Sequence, residues 1–166
     1  MAAAMAAAAF RLLNEDATLK LGALVGRLLV PLCLQEGRAL LVNLEGELGA
    51  GKTTLTRGLL WELGFHGAVR SPTYTLMEPY EFSGFTVFHF DLYRLREPEE
   101  LEYLGVRDCF ASPALCLAEW PEKAAGALPA PDLIITISHQ DPGRAVVLQS
   151  DKLSFVSLEK ISLEFN

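Results

Sequence analysis

Positive charge is scarce in this sequence, and nowhere is it gathered into a cluster. Fourteen Lys and Arg stand against 21 Asp and Glu, giving a net charge of −7 and a pI near 5.0. Proteins that hold nucleic acid unaided draw most of their affinity from a basic face that neutralises phosphates, so autonomous RNA or DNA binding is disfavoured. Cysteine is sparse too. Cys33, Cys109 and Cys116 are odd in number, widely spaced and without a C-x-x-C pair. That argues against a disulfide framework and predicts reduced thiols of a cytosolic protein, each a small buried hydrophobe. The opening "MAAAMAAAAF" lacks both a basic region ahead of it and a cleavage site, so it does not read as a signal peptide. The apolar run Leu21 to Leu34 is interrupted by Arg27 and Pro31 and reads as too short to span a bilayer. Internal repeats and low-complexity linkers are also missing beyond the alanine-rich start. The expectation is one soluble, cytoplasmic domain over residues 1–166, with an alanine-rich segment at 1–10 and a variable tail from about 150 to 166. At 51% hydrophobic residues the chain can bury a real core.

What is present is an alternation of strand and helix patterns, which predicts an α/β fold. A short strand near Ala8 to Leu13 comes first. Asn14 then caps a helix, with Glu15 and Asp16 near the positive end of its dipole. That helix runs to about Gln35, where Gly37 helps to end it, and Pro31 should kink it or end it early. "ALLVNL", Ala39 to Leu44, has strand length and runs straight into glycines. Leu55, Leu59 and Leu63 then recur on one face of a helix stopped by Gly64. "FTVFHFDLY", Phe85 to Tyr93, and "ALCLAEW", Ala114 to Trp120, are β-forming runs that each reach an acid near their ends. Between them "EPEELEYLG" reads as a short helix with Pro98 in its first turn. "DLIITISHQ" and "RAVVLQ" flank Asp141-Pro142-Gly143 and make an antiparallel hairpin. Beyond Leu153 the pattern fits a strand or a helix equally.

The chemistry begins at Gly46, Gly51, Lys52 and Thr53, which satisfy G-x-x-x-x-G-K-[ST]. Glycines let the backbone wrap closely, so that successive N–H groups point inward at an anion and the next helix adds its positive end. In such a loop the lysine reaches the β- and γ-phosphates of a nucleotide and the threonine hydroxyl binds Mg²⁺. The fold expected is a P-loop NTPase: a central, mostly parallel sheet flanked by helices, with the C-terminal hairpin antiparallel. Hydrolysis needs an acid at a neighbouring strand end to hold the metal or its water. Asp91 and Glu119 both project at the carboxyl edge of the sheet, where open α/β folds bind ligands. "RSPTYTLMEPY" offers the Ser71 and Thr73 hydroxyls around Pro72, at the chain position of a switch segment; a Ser-Pro turn entering a strand fits it nearly as well.

Taken together, "GELGAGKTTLTRG", "SPTYTL", "FHFDLYRL" and "LAEWPE", in that order and at these spacings, resemble the TsaE family. These are small bacterial P-loop ATPases required to make N6-threonylcarbamoyladenosine at position 37 of tRNA. The resemblance runs from about Asn14 to Arg144. It implies that Gly46, Glu47, Leu48, Gly49, Ala50, Gly51 and Lys52 form the ATP phosphate loop, continued by Thr53 and Thr54. It makes Thr53 and Glu119 the magnesium ligands and puts Asp91 on a Walker-B-like acid, a catalytic or metal candidate. Ser71-Pro72-Thr73 is similar to the family's switch-like segment, so Thr73 joins Lys52, Asp91 and Glu119 as a catalytic candidate. Glu15, in "NEDATLKLG", matches a position that contacts the nucleotide near its base, and Arg144, in "DPGRAVV", a late arginine that approaches ATP. Trp120 follows Glu119 as in the family, to pack beside the nucleotide or in the core. The first ten residues and the tail after about Gln149 match nothing, and no role is implied there.

The resemblance implies an ATPase that does not attach the threonylcarbamoyl group itself. It joins the TsaD–TsaB heterodimer and helps to reset that complex between turnovers, with weak activity alone. The acidic balance agrees, since tRNA would be met indirectly, through the partners. Glu97 to Glu102 is either partner-facing or a solvated helix face. On the residues alone two other readings stay open. One is a small-molecule kinase, for which Arg94, Arg96 and Arg107 would steady the migrating phosphoryl group. The other is a binding module in which the nucleotide only sets a conformation. The absence of a guanine-reading N-K-x-D run favours ATP over GTP mildly.

Overall fold

The computed structural model describes residues 4–166, so the first three residues of the alanine-rich segment lie outside it. Seven strands build one sheet: β1 (Ala6–Leu12), β2 (Ala39–Glu45), β3 (Met77–Phe82), β4 (Phe85–Asp91), β5 (Ala114–Glu119), β6 (Leu133–His139) and β7 (Arg144–Ser150). The helices are α1 (Glu15–Glu36), α2 (Lys52–Glu62), the short α3 (Glu100–Tyr103) and α4 (Val106–Cys109), and α5 (Phe155–Leu163); a 3₁₀ turn spans Pro121–Ala124.

The spatial order is β1-β7-β6-β2-β5-β4-β3. The inner strands β6, β2, β5 and β4 run parallel. The sheet as a whole is mixed, because β7 and β1 on one side and β3 on the other pair antiparallel. Connection length explains two of the three antiparallel pairings, β3–β4 and β6–β7. Parallel neighbours need a crossover, whereas the β3–β4 turn at Gly84 and the β6–β7 turn at Asp141-Pro142-Gly143 are too short for one. β5 is buried along its whole length and carries the continuous apolar run of a strand covered on both faces. β3 is the strand entered from the Ser71-Pro72 turn; Pro79 is tolerated there because β3 lies at the sheet edge.

Alternation along the strands separates two cores. Leu40, Val42, Leu44, Leu115 and Leu117 face the layer of α1, α2 and α5, whereas Leu41, Phe90, Cys116 and Ala118 face α3, α4 and the 3₁₀ turn. All three cysteines are free and buried. The Asn14 side chain caps α1 by accepting from the Ala17 N–H, 2.9 Å away. Pro31 neither ends that helix nor shortens it. The proline lies on the exposed side, where water can satisfy the carbonyl it leaves free, while Leu29, Val30 and Cys33 stay packed beneath. At 22 residues α1 is also long and apolar enough, by length and composition alone, to cross a membrane, which corrects the reading of a run too short to do so. In this fold its Leu21, Val25 and Leu29 are fully buried against the rest of the protein. The tail is helical: Ser154 caps α5, Leu158 and Ile161 are buried, and Phe165 stacks on Phe10 of β1 at 4.9 Å.

The contact that positions α2 is made by two glycines. A Cβ on Gly22 of α1 would lie 2.0 Å from the Leu55 carbonyl oxygen, and one on Gly58 of α2 would lie 2.1 Å from the Leu19 carbonyl oxygen. The two backbones touch, so nothing larger than hydrogen fits. Gly26, one turn on, meets the Leu59 side chain first, at 3.2 Å, with the Leu59 carbonyl oxygen at an ordinary 3.9 Å. Alanine gains up to about 1 kcal/mol of helix propensity over glycine, but overpacking costs about 1–3 kcal/mol. Urea denaturation should therefore show Gly22→Ala and Gly58→Ala destabilised, and Gly26→Ala close to the wild type.

Candidate functional site

β2 delivers the chain to Gly46, which passes so close to β6 that a Cβ would meet the Ile137 carbonyl oxygen at 2.4 Å. Gly49 and Gly51 hold left-handed φ of +78° and +115°, the region in which a side chain is strained. Glu47 closes the turn, its carbonyl accepting from the Ala50 N–H at 3.1 Å. Gly51 is the N-cap of α2, and among the described residues no side chain caps that helix, so its positive end is left to the loop.

Lys52 opens α2 yet is only 4% exposed. Its Nζ donates back to the Gly46 carbonyl and lies 3.9 Å from the centroid of the Trp120 ring. Burial pulls its pKa below the ordinary lysine value, against the opposing pull of Glu119, Asp91 and Glu122. Trp120 reaches this position because it adopts φ +58° directly after β5, turning the chain into the 3₁₀ segment.

Register brings the acids together. Asp91 on β4 is the direct partner of Glu119 on β5, and Leu44 at the end of β2 pairs with Glu119 on its other side. Both carboxylates are nearly buried. The Thr53 Oγ1 donates to Glu119 Oε2 at 3.2 Å, and the same oxygen lies 2.6 Å from His89 Nε2. Asp91 is held differently. The Ser71 Oγ donates to its Oδ2, the Thr73 Oγ1 approaches the same atom at 3.5 Å, and the Tyr93 N–H donates to Oδ1 at 3.1 Å. The Asp91 N–H in turn donates to the Leu76 carbonyl at 2.9 Å, and Leu76 sits at the strained φ of +65°.

These groups line a cavity of about 350 Å³ shared by Leu48 through Thr54, Ser71, Thr73, Asp91, Glu119 and Trp120, with Tyr93 and Arg94 at its side. A second hollow of about 300 Å³ lies across the loop, lined by Asn14, Glu15, Thr18 and Arg144 together with Gly49, Ala50, Gly51 and Thr54. Arg144 braces the loop between them: its Nε donates to the Ala50 carbonyl at 3.2 Å and its Nη2 to Gly49 at 3.4 Å. Glu15 stands at the rim, 4.0 Å from Arg57. Gly46 and Glu47 line neither hollow and act through their carbonyls. Of the three arginines considered for a kinase, Arg94 alone lines the first cavity; Arg107 is exposed and paired with Glu102. His89 and Tyr93 are the site residues that motif reading passes over. For His89 the signal was available, since it lies two residues before Asp91 and so on the same strand face.

The donor set suits an anionic, metal-bearing ligand. A buried ammonium with no carboxylate in hydrogen-bond contact favours a bound anion. A glycine cradle that a Cβ would close, and a helix start without a side-chain cap, favour the same. The Thr53 hydroxyl and the Glu119 and Asp91 carboxylates are the hard oxygen donors that Mg²⁺ takes. No cluster of three or more His, Cys, Asp or Glu suited to hold a metal by itself occurs among the described residues.

Comparison with known proteins agrees. The family model described as "Threonylcarbamoyl adenosine biosynthesis protein TsaE" matches residues 12–146. The chain belongs to the TsaE family. The Haemophilus influenzae protein named tRNA threonylcarbamoyladenosine biosynthesis protein TsaE is 47% identical over 135 residues, covering 81% of this chain and 84% of that one. A Rickettsia felis protein of the same name is 32% identical over 157 residues, covering 92% and 87%. Among solved structures the crystal structure of Bacillus subtilis YdiB superposes with a TM-score of 0.74 at 25% identity, covering 98% of this chain and 99% of YdiB. The P-loop fold of this TsaE-family chain is consistent with nucleotide binding.

The hold of Asp91 on the 71–76 segment can be measured. Hydrogen bonds to a charged group contribute about 1.5–3 kcal/mol. Replacing both Ser71 and Thr73 by alanine should therefore speed amide exchange at Asp91 and Leu76 by roughly 10- to 100-fold, leaving β2 and β5 protected. Unchanged exchange at those two amides would mean that the hydroxyls do not restrain the segment.

Proposed function

We propose that this chain is a Mg²⁺-dependent ATPase serving N6-threonylcarbamoyladenosine formation on tRNA, and that it acts with the TsaB and TsaD proteins rather than transferring the group itself. The observation that carries the reading is the meeting of Lys52, Thr53, Asp91 and Glu119 in one cavity against an uncapped glycine loop. In this reading Gly46 to Thr54 hold the triphosphate through backbone N–H groups, and Lys52 leaves the Gly46 carbonyl to neutralise the β- and γ-phosphates. Thr53 and Glu119 would hold Mg²⁺, with Asp91 beside them. The metal, when bound, screens charge on the β- and γ-phosphates. Thr73, tethered to Asp91 and lining the same cavity, would orient the attacking water, and the tether would keep the switch segment at the cavity. The hollow beside Glu15 and Arg144 suits the nucleoside, and the Arg144 bonds to Gly49 and Ala50 fix the loop between the two halves of the ligand.

We further infer that residues 1–166 act as a single cytoplasmic domain. The acidic surface, at −7 overall, supports a division of labour in which partners carry the tRNA. Arg96 and Arg107 do not join Arg94 at the cavity, so the phosphoryl-transfer set that a kinase needs is not gathered there.

Phosphate release from ATP is the deciding measurement, made with and without TsaB and TsaD. Slow release by the chain alone, accelerated by the pair, is expected; no release under either condition would leave a nucleotide-responsive module. Lys52→Ala should lower turnover by about 10²-fold or more, as loss of a preorganised charge-stabilising donor does. Turnover near the wild-type rate in that variant would remove the phosphate assignment. Glu119→Ala should weaken Mg²⁺-dependent ATP binding more than binding in EDTA. Equal losses would indicate a folding role for the glutamate.

A further inference from the structure

His89 is the one fully buried side chain at the site that the reading above leaves without a task. It is 0% exposed, lies on β4 two residues before Asp91, and pairs with Leu117, two residues before Glu119. Its contact with Glu119 is therefore the diagonal one between adjacent strands, a span that a long ring can bridge. Nε2 lies 2.6 Å from Glu119 Oε2, while Nδ1 is buried with no hydrogen-bond partner among the described residues.

That pair of observations assigns the ring. A proton on Nδ1 would bury an N–H without an acceptor and turn the bare Nε2 lone pair toward a carboxylate. A doubly protonated ring would bury the same orphan N–H. The arrangement that leaves only one unpaired lone pair carries its proton on Nε2 and donates it to Glu119. An apolar side chain would fill the same space without burying an orphan nitrogen, so packing does not by itself account for a histidine here. Glu119 Oε2 then accepts from two rigid elements at once, His89 on β4 and Thr53 at the start of α2.

We propose that His89 is a positioning residue for Glu119: its Nε2–H fixes the carboxylate in the orientation at which it meets Thr53, and so sets the geometry of the metal-binding pair. The proposal rests on the reading of Glu119 as a Mg²⁺ ligand. Carboxylates that ligate a metal depend on such outer partners, and losing one weakens metal affinity by about 10–100-fold.

The test is ATP affinity by calorimetry, in Mg²⁺ and in EDTA, for the wild type, His89→Leu and His89→Gln, with thermal melting to check folding. The leucine variant should lose about 10–100-fold in Mg²⁺ and change little in EDTA. The glutamine variant, whose amide N–H can reach the same oxygen, should recover most of the loss. A leucine variant that binds Mg²⁺·ATP like the wild type overturns the proposal, as does a glutamine variant as impaired as leucine. A wild type that binds ATP equally in Mg²⁺ and EDTA defeats the metal reading of Glu119, and this proposal with it; a wild type that discriminates beside an unimpaired leucine variant defeats the proposal alone. If the leucine variant does not fold, the ¹⁵N spectrum of the wild-type imidazole decides: a proton on Nε2 and a bare Nδ1 support the assignment, and a proton on Nδ1 overturns it.

Discussion

The Lys52 ammonium is held inside the protein by the Gly46 carbonyl and the face of Trp120, and much of the surrounding geometry follows from that. Removing a cation from water is unfavourable unless other groups replace its hydration, and here the replacements come from two separate strand ends. Gly46 follows β2, Lys52 starts α2, and Trp120 follows β5. The lysine thus ties the two ends of the glycine loop to each other and to the neighbouring strand. Trp120 must take a left-handed φ to offer its ring, and that turn sends the chain into the 3₁₀ segment on the far side of the sheet. A carboxylate in contact would have neutralised the ammonium; a carbonyl and an indole stabilise it while leaving its charge available.

The remaining groups reach the same place by register and by close approach. The Asp91–Glu119 partnership is fixed by the parallel β4–β5 ladder, and a one-residue slip of either strand would turn its acid to the opposite face, toward α3 and α4. Thr53 meets Glu119 only because α2 lies at a set height over the sheet. Gly22 and Gly58 set that height by letting the α1 and α2 backbones touch. A larger residue at either position would move the helix start, and with it the hydroxyl, away from the acid it bonds. The helix pair is in this sense part of the site, although neither glycine lines it.

Legibility in the sequence followed how local each feature is. The glycine loop was readable because its chemistry is written in eight consecutive positions, Gly46 to Thr53. Asp91 and Glu119 were readable because strand-end acids after apolar runs project at one sheet edge whatever the strand order. The Asn14 cap was readable for the same local reason. Features decided by tertiary contact were not. Pro31 reads as a helix breaker, but burial of its neighbours outweighs the lost hydrogen bond on a solvent face. The tail could not be assigned because its helix gains its stability from packing Leu158, Ile161 and Phe165 on the sheet and β1. Of the antiparallel margins, the β6–β7 hairpin was readable from its Asp141-Pro142-Gly143 turn, whereas the pairing of β1 with β7 joins the two ends of the chain and was not. The bond from His89 to Glu119 joins residues 30 apart in sequence, and only the strand pairing reveals it.

The two acids differ in what holds them, and that difference has a physical consequence. Glu119 accepts from β4 and α2, elements embedded in the core. Asp91 accepts through Oδ2 from Ser71 and Thr73, which belong to an irregular segment that ends at the strained Leu76. Any group that binds Asp91 Oδ2 must compete with those two hydroxyls for the same oxygen. The segment's restraint and the chemistry at the cavity are therefore one equilibrium and not two. The segment also keeps a backbone tie, since the Asp91 N–H donates to the Leu76 carbonyl, so the hydroxyls are one part of its restraint. A scaffold-held glutamate beside a loop-held aspartate gives the site one fixed wall and one wall whose position depends on what occupies it.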